Sequence, residues 1–195
     1  MTISSLSELG RYLRADAASR RVGSHARSFL LDPVYRFTVY LRLNEYLVNA
    51  DVPLIFRALP WWLFRRLSVR LGFSVPPNVF GPGLAIVHYG LLVVNPDARV
   101  GANCRVHAGV NIGGAAGFYN IDEAARLAPV IGDNCYIGPG AKIFGPVRIG
   151  NDCAIGANAV VNRSFPDNCV TIAGIPAKIV AAKGSDGLVA PNSYV

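Results

Sequence analysis

Apolar residues between positions 92 and 161 recur every six residues, in two interleaved registers. A period of six fits neither the 3.6-residue turn of a helix nor the two-residue alternation of a strand. It is typical of a parallel β-helix built of hexapeptides, in which both registers point into the core. The first register holds aliphatic residues at Val94, Val100, Val106, Ile112, Ile131, Ile137, Ile143, Ile149, Ile155 and Val161, and the second holds small or medium-sized ones at Leu92, Ala98, Cys104, Val110, Cys135, Ala141, Val147, Cys153 and Ala159.

Glycine often follows the aliphatic residue, as at Gly101 and Gly132, which predicts short strands that end at corners where glycine relieves backbone crowding. Three hexapeptides close one triangular coil, and successive coils stack at the parallel-strand spacing of about 4.8 Å. Cys135 and Cys153 lie eighteen residues, or one coil, apart, so we expect them to stack directly. The sequence thus predicts a mostly β protein with a β-helix over residues 73–183.

The repeat is interrupted once, by an excursion loop at residues 113–129 that has no hexapeptide pattern. Long insertions in a compact domain are usually functional loops. After Phe165 we expect a terminal strand and a tail that caps the last coil. Residues 184–195 form the predicted C-terminal tail.

Residues 1–72 have a different pattern, with apolar and aromatic residues at helical spacing. They predict an α-helical N-terminal region of several amphipathic helices, with breaks near Pro33, Pro53 and Pro60.

Trp61, Trp62 and Phe64 stand beside Arg65 and Arg66 in this region. Aromatic residues next to arginine are typical of a segment at a membrane interface. The same aromatics could instead pack on the first coil or on a neighbouring subunit. Peripheral membrane contact is therefore one of two interpretations at this point.

The net charge of +7 is concentrated near the N-terminus. Residues 1–75 carry eleven arginines and five acidic residues, a net charge of +6. This charge favours an anionic partner such as a membrane surface, a glycan or a phosphorylated ligand, or is a solvated basic face; we expect no nucleic-acid partner.

The first residues lack the features of a secretory signal, so we expect a cytoplasmic protein. Residues 52–64 are too short to span a bilayer and contain Arg57 and Pro60, so no transmembrane helix is expected. None of the four cysteines forms a CxxC pair, and we expect all of them to be small buried thiols and the protein to hold no metal.

From Phe73 to Val180 the sequence resembles the hexapeptide-repeat acyltransferases, and among them the serine acetyltransferase branch. The resemblance is carried by VHYGLLVV (87–94), VNIGG (110–114), IGPGAKIFGPVRIGNDCAIGANAVV (137–161) and AGIPAKIV (173–180). It implies a left-handed parallel β-helix, a homotrimer, and acetyl-CoA as co-substrate in the groove between two prisms.

Three positions depart from the serine acetyltransferase pattern. Val87 replaces the aspartate before the catalytic histidine, Ala128 replaces a second histidine before Pro129, and Pro76 and Pro77 stand where an acidic residue would contact the amino-acid acceptor. The sequence looks closer to polysaccharide O-acetyltransferases of the colanic acid acetyltransferase type. That resemblance implies acetyl transfer to a sugar hydroxyl of a polysaccharide or its precursor.

Three alternatives stay open. One is a diverged serine O-acetyltransferase, and another is a non-catalytic trimeric scaffold. The third is a zinc-dependent hydratase of the carbonic anhydrase kind, for which His25 would have to join His88 and His107 as the third ligand.

The resemblance places His88 on the family's catalytic histidine, the base that removes the acceptor proton. Imidazole suits this task because its pKa lies near neutral pH. A strict count back by six from Val94 would turn His88 into the core, but Gly81, Gly83 and Gly90 indicate that the first coil is irregular. We therefore expect His88 to be exposed and catalytic.

The second candidate, His107, comes from spacing alone, since it follows His88 by nineteen residues. We expect the two on neighbouring coils, about 5 to 8 Å apart. His107 could bind the acceptor, position its hydroxyl or simply sit exposed at a corner. The ring of His88 needs an orienting partner, for which a backbone carbonyl, Asn95, Asp122 and Glu123 are the candidates.

The glycine-rich corner at Gly113 and Gly114 is the candidate source of N–H groups for the oxyanion. For acetyl-CoA, we expect corner residues to flank the pantetheine arm and basic residues to lie near the phosphates. The corner residues are Gly138, Ala141, Gly156 and Ala159, and the basic residues are Lys142, Arg163 and Lys178.

Overall fold

The structure is a computed structural model that describes residues 2–115 and 127–191. Four helices come first, followed by fourteen short strands. The helices are α1 (Leu6–Ser19), α2 (His25–Leu31), α3 (Pro33–Asn49) and α4 (Leu54–Leu71). No helix in the described part of the chain is long and apolar enough to cross a membrane.

The helices begin and end where local chemistry allows it. Ser5 caps α1 through a capping box with Glu8, and Asp32 caps α3, which starts with Pro33. Gly72 ends α4 in the left-handed conformation, at φ 76°.

The expected break at Pro60 is wrong, because α4 runs through this residue. A proline inside a helix costs about 3 kcal/mol. Phe64, Leu67 and Leu71 follow Pro60 and are buried in the same core as Phe37 of α3, which offsets that cost.

The strands form the three faces of a prism, and the chain visits faces A, B and C in turn. Nearly all neighbouring strands are parallel, as in a β-helix, and only the last strand turns back antiparallel on face C. Face A consists of β1 (Phe73–Ser74), β3 (Leu92–Val94), β6 (Asn111–Gly113), β9 (Lys142–Phe144) and β12 (Val160–Val161). Face B consists of β4 (Arg99–Val100), β7 (Val130–Ile131) and β10 (Arg148–Ile149). Face C consists of β2 (Ala85–Ile86), β5 (Arg105–Val106), β8 (Tyr136–Ile137), β11 (Ala154–Ile155), β13 (Thr171–Ala173) and β14 (Lys178–Ala181).

The interior of the prism follows the six-residue pattern. The aliphatic register and the smaller register are buried throughout, and Cys135 and Cys153 lie on adjacent coils as predicted. Cys169 departs from the expectation for the cysteines, because it is exposed at a corner, at φ 58°.

The predicted irregularity of the first coil is present. Ile86 pairs with Val106, twenty residues away, whereas coils further along repeat every eighteen residues, as in the pairing of Tyr136 with Ala154. The two extra residues shift the register, so Ile86 fills the core and His88 is exposed.

The helices are fastened to the first coil by a buried arginine. The guanidinium of Arg42 contacts the carboxylates of Asp16 and Glu45 at 2.8 and 3.0 Å and donates to the carbonyls of Phe80 and Gly81 at 2.8 and 2.7 Å. Its charge is thus fully compensated away from water, as a buried ion pair requires.

Asp16 extends this network to the segment that leads into His88. One of its carboxylate oxygens accepts from the backbone N–H groups of Gly83 and Leu84, both at 2.8 Å. The helical region therefore fixes the irregular first coil through polar contacts as well as through the shared apolar core.

Candidate active site

His88 and His107 lie on one edge of the prism, where face C turns into face A. We call this edge the histidine corner; it consists of residues 87–91, 107–110, 138–141 and 156–159. The Val87 N–H donates to the Val106 carbonyl at 3.0 Å, which sets the two histidine turns on top of each other.

The two imidazole rings lie next to each other on adjacent coils, with their planes inclined at 61°. Their centroids are 6.3 Å apart, and the ring of Tyr136 lies 5.0 Å from that of His107 on the other side. His88 is exposed and makes no hydrogen bond to any described residue, so its ring is free to meet a ligand. The corner thus carries a row of three rings in edge-on contact, with the exposed imidazole of His88 at one end.

His107 is poised as a neutral imidazole. Burial lowers the pKa of His107, and the charges of Arg105 and His88 lower it further. Its Nε2 is buried without a hydrogen-bond partner among the described residues. A buried ring nitrogen with an unmet hydrogen bond is ready to bind a hydroxyl or a water molecule.

Among the described residues, no side chain proposed as an orienting partner of His88 lies at the histidine corner. Asn95 follows β3 at the far edge of face A, and its Oδ1 accepts from the Asp97 backbone N–H at 2.8 Å. Asp122 and Glu123 lie outside the described residues.

Gly113 and Gly114 are also at the far edge of face A, where the chain leaves for the excursion loop. The width of face A separates these glycines from the histidine corner. Within one chain, the expected oxyanion site therefore does not lie next to His88. The ends of the excursion are joined by the Ala115 N–H, which donates to the Leu127 carbonyl at 3.0 Å.

The four residues expected to flank a pantetheine arm do lie on the histidine corner. The methyl groups of Ala141 and Ala159 are fully buried in the prism, however, and so cannot touch a ligand. At Gly138 and Gly156 the next coil leaves no room for a side chain. A Cβ atom added to Gly138 would lie 2.7 Å from the nearest backbone atom of that coil, and one added to Gly156 would lie 2.9 Å from the Ala173 side chain.

The exposed residues of these turns are one or two positions further on. They are Pro139, Ala157 and Asn158, which sequence reasoning missed. The small residues of the repeat point into the core. Counting onward from Ile137 and Ile155 to the turn positions before the next small residue could therefore have identified these exposed residues.

Arg163 and Lys178 meet at the end of the β-helix. They line a shallow groove of about 400 Å³ together with Phe165, over whose ring the Arg163 guanidinium lies at 5.2 Å. Lys142 lies instead on face A, where its ammonium donates to the Gly109 carbonyl at the histidine corner.

A basic groove next to the histidine corner was not predicted. It has a volume of about 360 Å³. Its lining includes Arg20 and Arg21 after α1, Val87 and Arg105 of the coil, and Gly187, Val189 and Ala190 near the C-terminus. Arg105 precedes His107 by two residues, so both point outward from face C. Period-two alternation could have found Arg105, whereas Arg20 and Arg21 come from a distant part of the chain.

The charges in this groove are only partly compensated. Arg20 pairs with Asp32 at 2.7 Å, while its buried Nε has no partner among the described residues. Arg105 donates to the Leu188 carbonyl at 3.1 Å. The groove is therefore suited to an anionic group such as a carboxylate.

No group of three metal-ligating side chains occurs within residues 2–115 and 127–191. His25, the third ligand that a zinc hydratase would need, lies in α2 and contacts the Tyr35 hydroxyl at 2.7 Å through Nδ1. The described residues thus do not form the three-histidine site of that alternative.

Comparison with known proteins supports the repeat and the fold. The family model described as "Bacterial transferase hexapeptide (six repeats)" matches residues 128–163. A serine acetyltransferase of Synechococcus elongatus is 31% identical over 153 residues, which cover 78% of this chain and 59% of that protein. A serine acetyltransferase of Mycobacterium tuberculosis is 35% identical over 113 residues, which cover 57% of this chain and 47% of that protein.

Solved structures give the same result. The serine acetyltransferase of Brucella abortus in complex with coenzyme A superposes with a TM-score of 0.72 and 29% identity, covering 92% of this chain and 70% of that one. The chain spans about half to three fifths of the length of the two curated relatives above.

These relatives do not support the polysaccharide O-acetyltransferase branch that the sequence predicted, and the serine acetyltransferase alternative fits them better. The prediction gave great weight to Val87 and Ala128, whereas the similarity extends over 78% of the chain. The chain shares with these proteins the hexapeptide repeat and the fold, an N-terminal helical region followed by a left-handed parallel β-helix.

Proposed function

We propose that this protein transfers the acetyl group of acetyl-CoA to a hydroxyl, with His88 as the general base. The observation that carries the proposal is the exposed His88 facing His107 at 6.3 Å on a coil corner, in a chain similar to serine acetyltransferases. The reaction uses acetyl-CoA as a co-substrate, and we place it in the cytoplasm.

In this reaction the acceptor oxygen attacks the thioester carbonyl while His88 takes the hydroxyl proton. The tetrahedral intermediate then collapses, the C–S bond breaks, and His88 returns the proton to the CoA thiolate. His107, kept neutral by its lowered pKa, accepts or donates a hydrogen bond through Nε2 and so positions the acceptor hydroxyl.

A homotrimer completes the proposed site. In it, the Gly113–Gly114 corner of one chain lies against the histidine corner of the next and supplies oxyanion N–H groups. The pantetheine arm runs along the exposed turns at Pro139 and Ala157, and Arg163 and Lys178 bind phosphate groups.

L-Serine is the first candidate acceptor, because the relatives are serine acetyltransferases. The groove beside Val87 supports this choice, since Arg105 can hold the carboxylate of serine two residues from His107.

A sugar hydroxyl is the second candidate, and two residues favour it. Val87 offers no carboxylate to the ammonium group of serine, and the Ala128 methyl is buried and offers no imidazole. A non-catalytic trimeric scaffold remains the reading to exclude.

An acceptor screen tests the proposal. Purified protein is incubated with acetyl-CoA and with L-serine, monosaccharides, oligosaccharides or polymeric glycans, and CoA release is measured. We expect acceptor-dependent release, with L-serine the best substrate. Release only with a glycan would select the second candidate. A protein that neither releases CoA nor binds acetyl-CoA would favour the scaffold.

An arginine variant tests the assignment of the acceptor site. Arg105→Gln should raise KM for L-serine by about 10-fold to 100-fold, because a charge-assisted hydrogen bond contributes about 1.5 to 3 kcal/mol. Arg148→Gln, on face B, is the matched control and should leave KM unchanged. An unchanged KM in the Arg105 variant would remove this residue from the site.

A further inference from the structure

Helix α4 exposes an unusually apolar surface. We call it the α4 surface and define it by the large apolar side chains of this helix that are between 44% and 79% exposed. Exposed patches of this kind mark interaction sites. The residues are Leu54, Ile55, Phe56, Leu59, Trp61, Trp62 and Val69.

Four residues of the α4 surface form a continuous stripe along the helix. Ile55, Leu59, Trp62 and Val69 follow one another at intervals of four, three and seven residues, so they form one stripe. The opposite face, with Phe64 and Leu67, is buried against the rest of the protein. Helix α4 thus has two apolar faces, and only one of them packs against the rest of the chain.

Arginines border the stripe. Helix α4 contains four arginines and no acidic residue in its eighteen positions. At 100° per residue, Arg65 and Arg70 flank the stripe on its two sides, and Arg66 lies within it, with its guanidinium 5.2 Å from the Trp62 ring. None of these three arginines is in an ion pair with another described residue.

We propose that the α4 surface binds the surface of a lipid bilayer that contains anionic lipids. Apolar and indole side chains enter the interface, while the flanking guanidinium groups extend to the lipid phosphates. The helix lies in the plane of the interface, with its apolar stripe toward the acyl chains and its buried face toward the rest of the protein.

Charge favours a bilayer over a two-fold contact between copies of the chain. A two-fold contact between α4 surfaces would bring Arg65, Arg66 and Arg70 against the same arginines of the other copy. Residues 1–75 carry a net charge of +6, which adds to that repulsion and strengthens attraction to anionic lipid. A membrane surface can contact the apolar stripe through its acyl chains and the bordering arginines through its lipid phosphates.

The chain has an intrinsic probe of this surface, because its two tryptophans are Trp61 and Trp62. The full-length protein is mixed with vesicles of phosphatidylglycerol and phosphatidylcholine, or of phosphatidylcholine alone, and tryptophan emission and co-sedimentation are measured. With the anionic vesicles we expect a blue shift of the emission and co-sedimentation, both reduced by high salt.

Two variants that keep the tryptophans sharpen the test. The double substitution Arg65→Gln and Arg66→Gln should lower partitioning about 30-fold, since each basic residue near a bilayer contributes about a factor of five. Leu59→Ser should also lower partitioning. Leu6→Ser, which changes an equally exposed leucine of α1, is the control and should bind like the parent.

The proposal is overturned if anionic vesicles produce neither a blue shift nor co-sedimentation. It is also overturned if the emission shifts without vesicles as protein concentration rises, with a matching increase in molecular mass, because the α4 surface would then join copies of the chain. Neither result depends on catalytic activity.

Discussion

At the residue scale, the site depends on His88 and His107 on adjacent coils and on the arginines of the neighbouring groove. The pairing of His88 with His107 follows from coil spacing, which is a local property and so could be predicted. Arg105 follows from its place two residues before His107. Arg20 and Arg21 could not be foreseen, because α1 reaches face C only through tertiary packing.

The pKa of His107 makes a prediction about stability. Burial and the charge of Arg105 place this pKa below the usual value of about 6.5 in the folded protein. Below pH 6.5 the unfolded chain therefore binds a proton at His107 more readily than the folded protein does. As a result, the free energy of unfolding falls as pH decreases.

Replacing His107 by glutamine removes this proton from both states. Urea unfolding between pH 5 and 7.5 should show a steeper loss of stability at low pH in the parent than in His107→Gln. Parallel curves would contradict the lowered pKa.

At the scale of the element, the hexapeptide is predictable because its apolar registers are local. Its glycines relieve backbone crowding, as predicted, and they do so where successive coils approach each other closely. The left-handed turn positions hold Asn103, Asn134 and Asp152, at φ between 54° and 57°, so glycine is not needed there for its backbone freedom. At Gly101 it is needed because a Cβ would lie 2.7 Å from the backbone carbon of Gly132 on the next coil.

Helices were harder to place than strands. Helix α1 was not located from the sequence, and Pro60 misled the prediction for α4 because burial of the following turns outweighs its local preference. Helix boundaries here depend on packing that a local pattern does not contain.

Gly101→Ala should destabilise the protein by about 1 to 3 kcal/mol, the cost of overpacking a tight contact. Gly23→Ala is the control: it has open space and ordinary backbone angles, so it should be neutral or slightly stabilising. Thermal unfolding of the two variants measures the difference. Equal stabilities would mean that the coils can separate at no cost.

At the scale of the whole molecule, the helical region and the β-helix share one apolar core and the Arg42 network. Two carboxylates and two backbone carbonyls surround this guanidinium. The sequence did not reveal this network, because its members are distant along the chain. It stabilises the first coil, and therefore the position of His88.

Arg42→Met should destabilise the protein by about 3 to 5 kcal/mol, because it leaves Asp16 and Glu45 buried without their cation. Arg14→Met, at an exposed position of α1, should change stability by less than about 0.5 kcal/mol. Denaturant titration followed by circular dichroism compares the two. If Arg42→Met unfolds like the control, the network does not hold the two parts together.

The α4 surface is proposed to bring the protein to a bilayer, and the histidine corner is proposed to carry out acetyl transfer. Their tests are independent, so either proposal can fail alone.

The role proposed for His88 is that of the base in an acetyl transfer. It is tested most directly by CoA release from acetyl-CoA with the best acceptor of the screen, in the parent, in His88→Ala and in the remote control His25→Ala. We predict that His88→Ala lowers kcat by about 100-fold to 10,000-fold with unchanged circular dichroism and CoA binding, while His25→Ala keeps parent activity. Parent-like turnover by a folded His88→Ala protein would contradict the account.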